Sequence, residues 1–192
     1  GPAYHDKPYV HPTNLLTDTR SAEELAAWFS EGDVAVPAYG AVLNPEQLQS
    51  IAEFVVGVRS GDLPGPAQVI ALSKDAPKNY SLLEGADVER GNALYAEHCA
   101  TCHGDDGRKL PVDGDQSLGL FMRRKAYEGW FKLVSGHPGS PMKRELPFRS
   151  GAEGGQMILD VTAAMCDRTA YPSLDGVPDV PDGDGRCGGY LK

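Results

Sequence analysis

Apolar residues recur at helical spacing along much of the chain, and Gly- and Pro-rich stretches interrupt them. Leu25, Trp28 and Phe29 fall at i, i+3 and i+4 and so share one helix face. Ser21 ahead of them is a good N-cap, Glu23 and Glu24 suit the positive end of a helix, and Gly32 marks its stop. A loop through Val34, Val36, Pro37 and Tyr39 follows. A second helix is predicted from Asn44 and Pro45, with Leu48, Ile51, Ala52, Val55 and Val56 as its buried stripe. Further on, Asp87 caps a predicted helix that runs through Ala93, Leu94 and Tyr95 to Cys99. A short helix is expected over 123–135, carrying Tyr127, Trp130, Phe131 and Val134. Another is expected from about Gln156 to Arg168, carrying Ile158, Leu159, Val161 and Met165.

These elements divide the chain. Residues 1–60 form a helical segment, and 61–85 have the composition of a linker, with Gly61, Pro64, Gly65, Pro66 and Pro77. Residues 86–168 form a second compact unit, and 169–192 are a Gly- and Asp-rich tail. The stretches 21–58 and 125–168 repeat one plan of helix, Gly, Pro-containing loop and helix. Trp28-Phe29 and Gly32 in the first correspond to Trp130-Phe131 and Gly136 in the second.

Composition narrows the function. A net charge of -9 and a pI of 5.0 speak against nucleic-acid binding, which needs cations against phosphate. The longest apolar stretches, such as Ile51 to Val58, are too short for a membrane span. Gly1-Pro2 reads as a protease-cleavage remnant, so the lack of a visible targeting segment says little about location. Arg123, Arg124, Lys125, Lys132, Lys143, Arg144 and Arg149 gather in one stretch, as a solvated face or as a docking rim for an acidic partner.

The four cysteines fall into two pairs. Cys166 and Cys187 are expected to close a disulfide that ties down the tail, with two separate buried thiols as the alternative. The other pair lies in Cys99-Ala100-Thr101-Cys102-His103, the C-x-x-C-H attachment sequence for c-type haem. Two thiols one helical turn apart can form thioethers along one edge of a porphyrin, and the following imidazole can then coordinate the iron. A zinc site would need a second short-spaced ligand pair, and a redox dithiol would follow a strand; neither pattern is present. In the tail, Asp179, Asp182, Gly183, Asp184 and Gly185 offer a calcium loop, though without the closing Glu of an EF-hand.

Around the motif, Glu89 to Gly104 resembles the class I cytochrome c domain over about residues 86–168. Gly91 and Tyr95 stand where that family has a Gly and an aromatic residue ahead of the attachment sequence. The resemblance implies an all-α fold of cytochrome c-like helices around one covalent haem, close packing of Gly91 against the last helix, and His103 as proximal ligand. It implies a distal Met from a loop before the last helix. In Gly136-His137-Pro138-Gly139-Ser140-Pro141-Met142-Lys143 that residue is Met142, with His137 as the rival and Lys143 where Pro is common. Residues 21–59 resemble the second half of another such domain, with Val36 in the ligand place and no C-x-x-C-H before it. That half reads as a haem-less relic, as a unit lacking its first half, or as a cover for another chain's haem through His5 or His11.

The expected function is single-electron transfer between redox partner proteins outside the cytoplasm, as in the periplasm, and not enzymatic catalysis. The alternatives are a haem enzyme or sensor with an open distal site, and a fixed cytochrome subunit of a larger oxidoreductase complex.

Overall fold

The structure is a computed structural model that describes residues 14–33, 36–74, 76–137, 139–142 and 147–192. Val34, Pro138, Lys143, Arg144, His5 and His11, all singled out above, lie outside these residues. The chain forms two compact units, Gly1–Asp62 and Leu63–Lys192, and the described residues are mostly helical.

The first unit is a helical hairpin. Helix α1 (Ala22–Glu31) opens with a reciprocal capping box between Ser21 and Glu24, and α2 (Pro45–Ser60) with one between Asn44 and Gln47. Leu25 and Phe29 of α1 meet Leu48 and Ala52 of α2 in the core, and Val36 and Leu43 of the connection pack against it. Arg59 closes the open end by donating to the Asp18 and Arg20 carbonyls at 2.6 and 2.8 Å.

The second unit is built round a central helix. Residues 63–85, expected as a linker, carry a short hairpin of β1 (Ile70–Leu72) and β2 (Tyr80–Leu82). Val69, Tyr80 and Leu82 are buried, so the segment belongs to the core of this unit. Pro and Gly at its ends gave the linker signal, and strands of three residues are too short to show alternation. Then come α3 (Val88–His98), the one-turn α4 (Ala100–His103), α5 (Leu118–Ser135) and α6 (Gly151–Ala164).

Helix α6 is buried nearly all round through Ile158, Leu159, Val161, Thr162, Ala163 and Ala164. It starts earlier than its apolar period suggested because Gly154 and Gly155 are helical. Gly154 lies against the Phe148 backbone and Gly155 against the Gln68 side chain, approaches that a Cβ would block. Helix α3 crosses α6 at Gly91, where an added Cβ would run into the Asp160 carbonyl. The same crossing carries a buried carboxylate. Asp160 accepts from the Asp87 amide at 2.9 Å and from Gln156 at 2.9 Å, and pairs with Arg90.

Helix α5 also starts earlier than expected, at Leu118, with Ser117 as N-cap. Its Arg123 is fully buried and is no part of a basic rim. Arg123 donates to the Met165 and Tyr171 carbonyls at 2.8 and 2.9 Å and forks onto Asp179 at 2.8 and 2.6 Å. Arg124 binds the Pro178 carbonyl, and Lys125 pairs with Asp113. The tail is tied by a disulfide between Cys166 and Cys187. Of the acids in the candidate calcium loop, Asp179, Asp182 and Asp184 pair with Arg123, Arg168 and Arg186 respectively, and no three metal-ligating side chains converge among the described residues.

Candidate haem-attachment site

Helix α3 delivers the site. Asp87 accepts from the Arg90 amide as N-cap, and eleven helical residues lead to Cys99. The chain then makes a single further turn. The Cys102 and His103 amides both donate to the Cys99 carbonyl, at 3.2 and 2.9 Å. That turn brings Cys99, Cys102 and His103 together on one short helix. Gly104, at φ +80°, ends it in a conformation that L side chains rarely adopt.

Both thiols are free, Cys99 half-buried and Cys102 exposed. Burial, reinforced by neighbouring Cys102, pushes the Cys99 thiol up to about 11. A raised pKa makes Cys99 a poor nucleophile at neutral pH. Zinc is disfavoured by geometry as well. Among the described residues, no three His, Cys, Asp or Glu side chains converge as a metal-ion site.

His103 is half-buried. Burial lowers its pKa below the ordinary 6.5, with the adjacent Leu110 backbone working against that shift. The imidazole is therefore neutral at physiological pH, the form that binds a metal. Its Nδ1 is buried and forms no well-oriented hydrogen bond. A neutral ring of this kind keeps one nitrogen free of a proton and can present it to iron. Thiols spaced by one turn, followed at once by a neutral imidazole, fit a covalently attached haem.

The sequence did not reveal what braces the turn. The Tyr95 hydroxyl donates to the Gly104 carbonyl at 2.7 Å. Its ring meets Tyr171 edge-on at 4.7 Å, and the Tyr171 hydroxyl reaches Asn92 at 2.8 Å. Lys109 binds the same turn twice. Its amide donates to the His103 carbonyl at 3.0 Å and its ammonium to the Thr101 carbonyl at 2.9 Å.

The two candidate distal ligands share a tight turn after α5. The His137 amide donates to the Met142 carbonyl at 3.1 Å, and the Met142 amide to Ser140 Oγ at 3.2 Å. Met142 is half-buried and His137 exposed. Of the other methionines, Met122 and Met165 are core residues, and Met157 lies within α6. In the first unit, Val36 packs on an apolar core. Among the described residues no helix is long and apolar enough to cross a membrane.

Neither a search of curated proteins nor one of solved structures returned a match. Residues 86–145 match the family described as cytochrome C oxidase, cbb3-type, subunit III. The match takes in α3, the attachment turn, α5 and the loop holding Met142. Together with the helical fold, it marks this part of the chain as a c-type cytochrome domain, with the haem-binding, electron-transfer role that such a domain implies.

Proposed function

We propose that the chain is a single-electron carrier with one covalent haem c, held by Cys99 and Cys102 and ligated by His103 and Met142. The observation that carries this reading is the α4 turn, with its two free thiols and a half-buried His103 whose pKa burial lowers. When bound, the haem supplies the ferric–ferrous couple. The chain's own residues hold and orient it. Gly91 and Asp160 fix α3 against α6, and Tyr95 ties α3 to the end of the attachment turn, so that the turn keeps its place through a redox cycle. Met142 is preferred to His137 because it is the less exposed of the two. A thioether is a soft ligand and raises the potential relative to two imidazoles.

On this reading, electrons arrive from one protein partner and leave to another outside the cytoplasm, where the Cys166–Cys187 disulfide persists. The first unit is a haem-less counterpart of a cytochrome domain half, with Val36 used for packing in the ligand place. The family description favours one variant, a cytochrome subunit fixed within a larger oxidase complex.

The test is a visible and near-infrared spectrum of the haem-loaded protein, oxidised and reduced, with a carbon monoxide titration. The weak long-wavelength band of Met-ligated ferric haem, with no carbon monoxide binding, is expected. If the band is missing and carbon monoxide binds readily, Met142 is not a firm ligand, and a ligand-binding enzyme or sensor replaces the carrier.

A further inference from the structure

Resting on the haem reading, we propose that Lys109 is a positioning residue for the attachment turn and a fixed positive charge that favours the ferrous state. Three contacts place it. Its amide donates to the carbonyl of His103, and its ammonium donates to the carbonyl of Thr101, between the two cysteines. Its Cβ lies so near Gly104 that a side chain there would crowd it, at 2.9 Å. The α4 turn is too short to bond its own last carbonyls, and Lys109 supplies two of the missing donors. An ammonium at the carbonyl end of a helix is also favoured by the local dipole.

The described carboxylates of the same loop are engaged elsewhere or face solvent. Asp106 is bound by Arg108 at 2.7 Å, and Arg108 also reaches Asp175 at 3.5 Å. Asp105 is exposed to solvent. Among the described residues Lys109 forms no ion pair, and its ammonium bonds a neutral carbonyl of the attachment turn. A nearby cation stabilises an added electron, and solvent and salt screen the effect at an exposed site.

The experiment is a spectroelectrochemical titration of haem-loaded wild type, Lys109→Gln and Lys109→Arg at low and high ionic strength. Thioether attachment is verified first from the pyridine haemochrome spectrum. Lys109→Gln is expected to lower the ferrous-to-ferric ratio at a fixed ambient potential about two- to fivefold at low salt, less at high salt. Lys109→Arg is expected to restore the wild-type ratio. If Lys109→Gln loads poorly, Lys109→Met keeps the stem and removes the charge, and the same shift is expected. A fully loaded neutral variant with an unchanged ratio at low salt overturns the proposal while the haem reading stands. A wild-type chain that attaches no haem in a cytochrome c maturation host removes the haem reading and this inference with it.

Discussion

The Tyr80 hydroxyl sits inside a break in α5, where it accepts a hydrogen bond from the Ala126 amide at 3.2 Å. It donates in turn to the Arg124 carbonyl at 3.0 Å. Between those two residues, Lys125 leaves helical geometry at φ -142° and ψ 46°. A side chain inserted into the i to i-4 ladder is one of the recognised causes of a helix kink. Burial pushes the Tyr80 phenol up to about 12, so it stays a donor at any ordinary pH. Tyr80→Phe leaves the Ala126 amide without its partner, while the Arg124 carbonyl keeps the bond from Arg186 at 2.9 Å. The expected cost is about 1–3 kcal/mol, read as a lower urea midpoint at unchanged slope. A midpoint equal to wild type would mean that water takes over the hydroxyl's role.

Gly91→Ala tests the helix crossing. The added methyl would collide with the Asp160 carbonyl and touch Ala164, neither of which is a flexible side-chain end. Helix α3 must then shift along α6, straining the Asp160 bonds to Asp87 and Arg90. Overpacking at such a point costs about 1–3 kcal/mol. A lowered melting temperature and a reduced yield of covalent haem are expected together, because α3 also carries Cys99. A variant that melts like wild type would show that the crossing adapts cheaply.

What could be read in the sequence follows from where the signals lie. Ser21, Asn44 and Asp87 are local caps whose partners sit three residues on, and each helix begins as its cap implies. The Cys99–His103 motif is likewise contained in one turn. Gly154 and Gly155 read as loop because glycine disfavours a helix locally, and only the Phe148 backbone and Gln68 show why the helix accepts them. Arg123 read as surface charge because its partners are 42 to 56 residues away. The hairpin was hidden for a similar reason, since Tyr80 gains its meaning from α5.

The Arg123–Asp179 pair sets an acid limit to stability. Burial alone would raise the Asp179 carboxyl, but hydrogen bonds from Arg123 and Ser173 outweigh it and hold the group below its ordinary 3.8. Its stabilisation is therefore present above pH 3.8 and is lost as pH falls through the lower folded value. Asp179→Asn is expected to flatten this part of the stability–pH curve, measured by urea unfolding across the acid range. Arg123→Met is the harsher change, at about 3–5 kcal/mol, because it strands Asp179 and frees the Met165 and Tyr171 carbonyls. If Asp179→Asn tracks wild type down to the lowest pH, the pair is not the acid-sensitive element.

The Cys166–Cys187 disulfide joins the end of α6 to a tail with few apolar residues. Around it the tail is held by polar contacts, including Arg168 to the Lys192 carbonyl at 2.9 Å and the Ala86 amide to the Tyr190 hydroxyl at 2.8 Å. The second contact matters for the site, because Ala86 immediately precedes the Asp87 cap of α3. The double variant Cys166→Ser/Cys187→Ser removes the crosslink and leaves the motif thiols untouched, which a chemical reductant would not do. In the chain-entropy account, a loop of this size is worth about 3 kcal/mol. The variant is expected to lose that much in urea unfolding and to show faster hydrogen exchange at the α3 N-terminus. It is also expected to keep its visible spectrum, since neither cysteine belongs to the attachment turn. A spectral change at full folding would show instead that the tail helps to hold the haem.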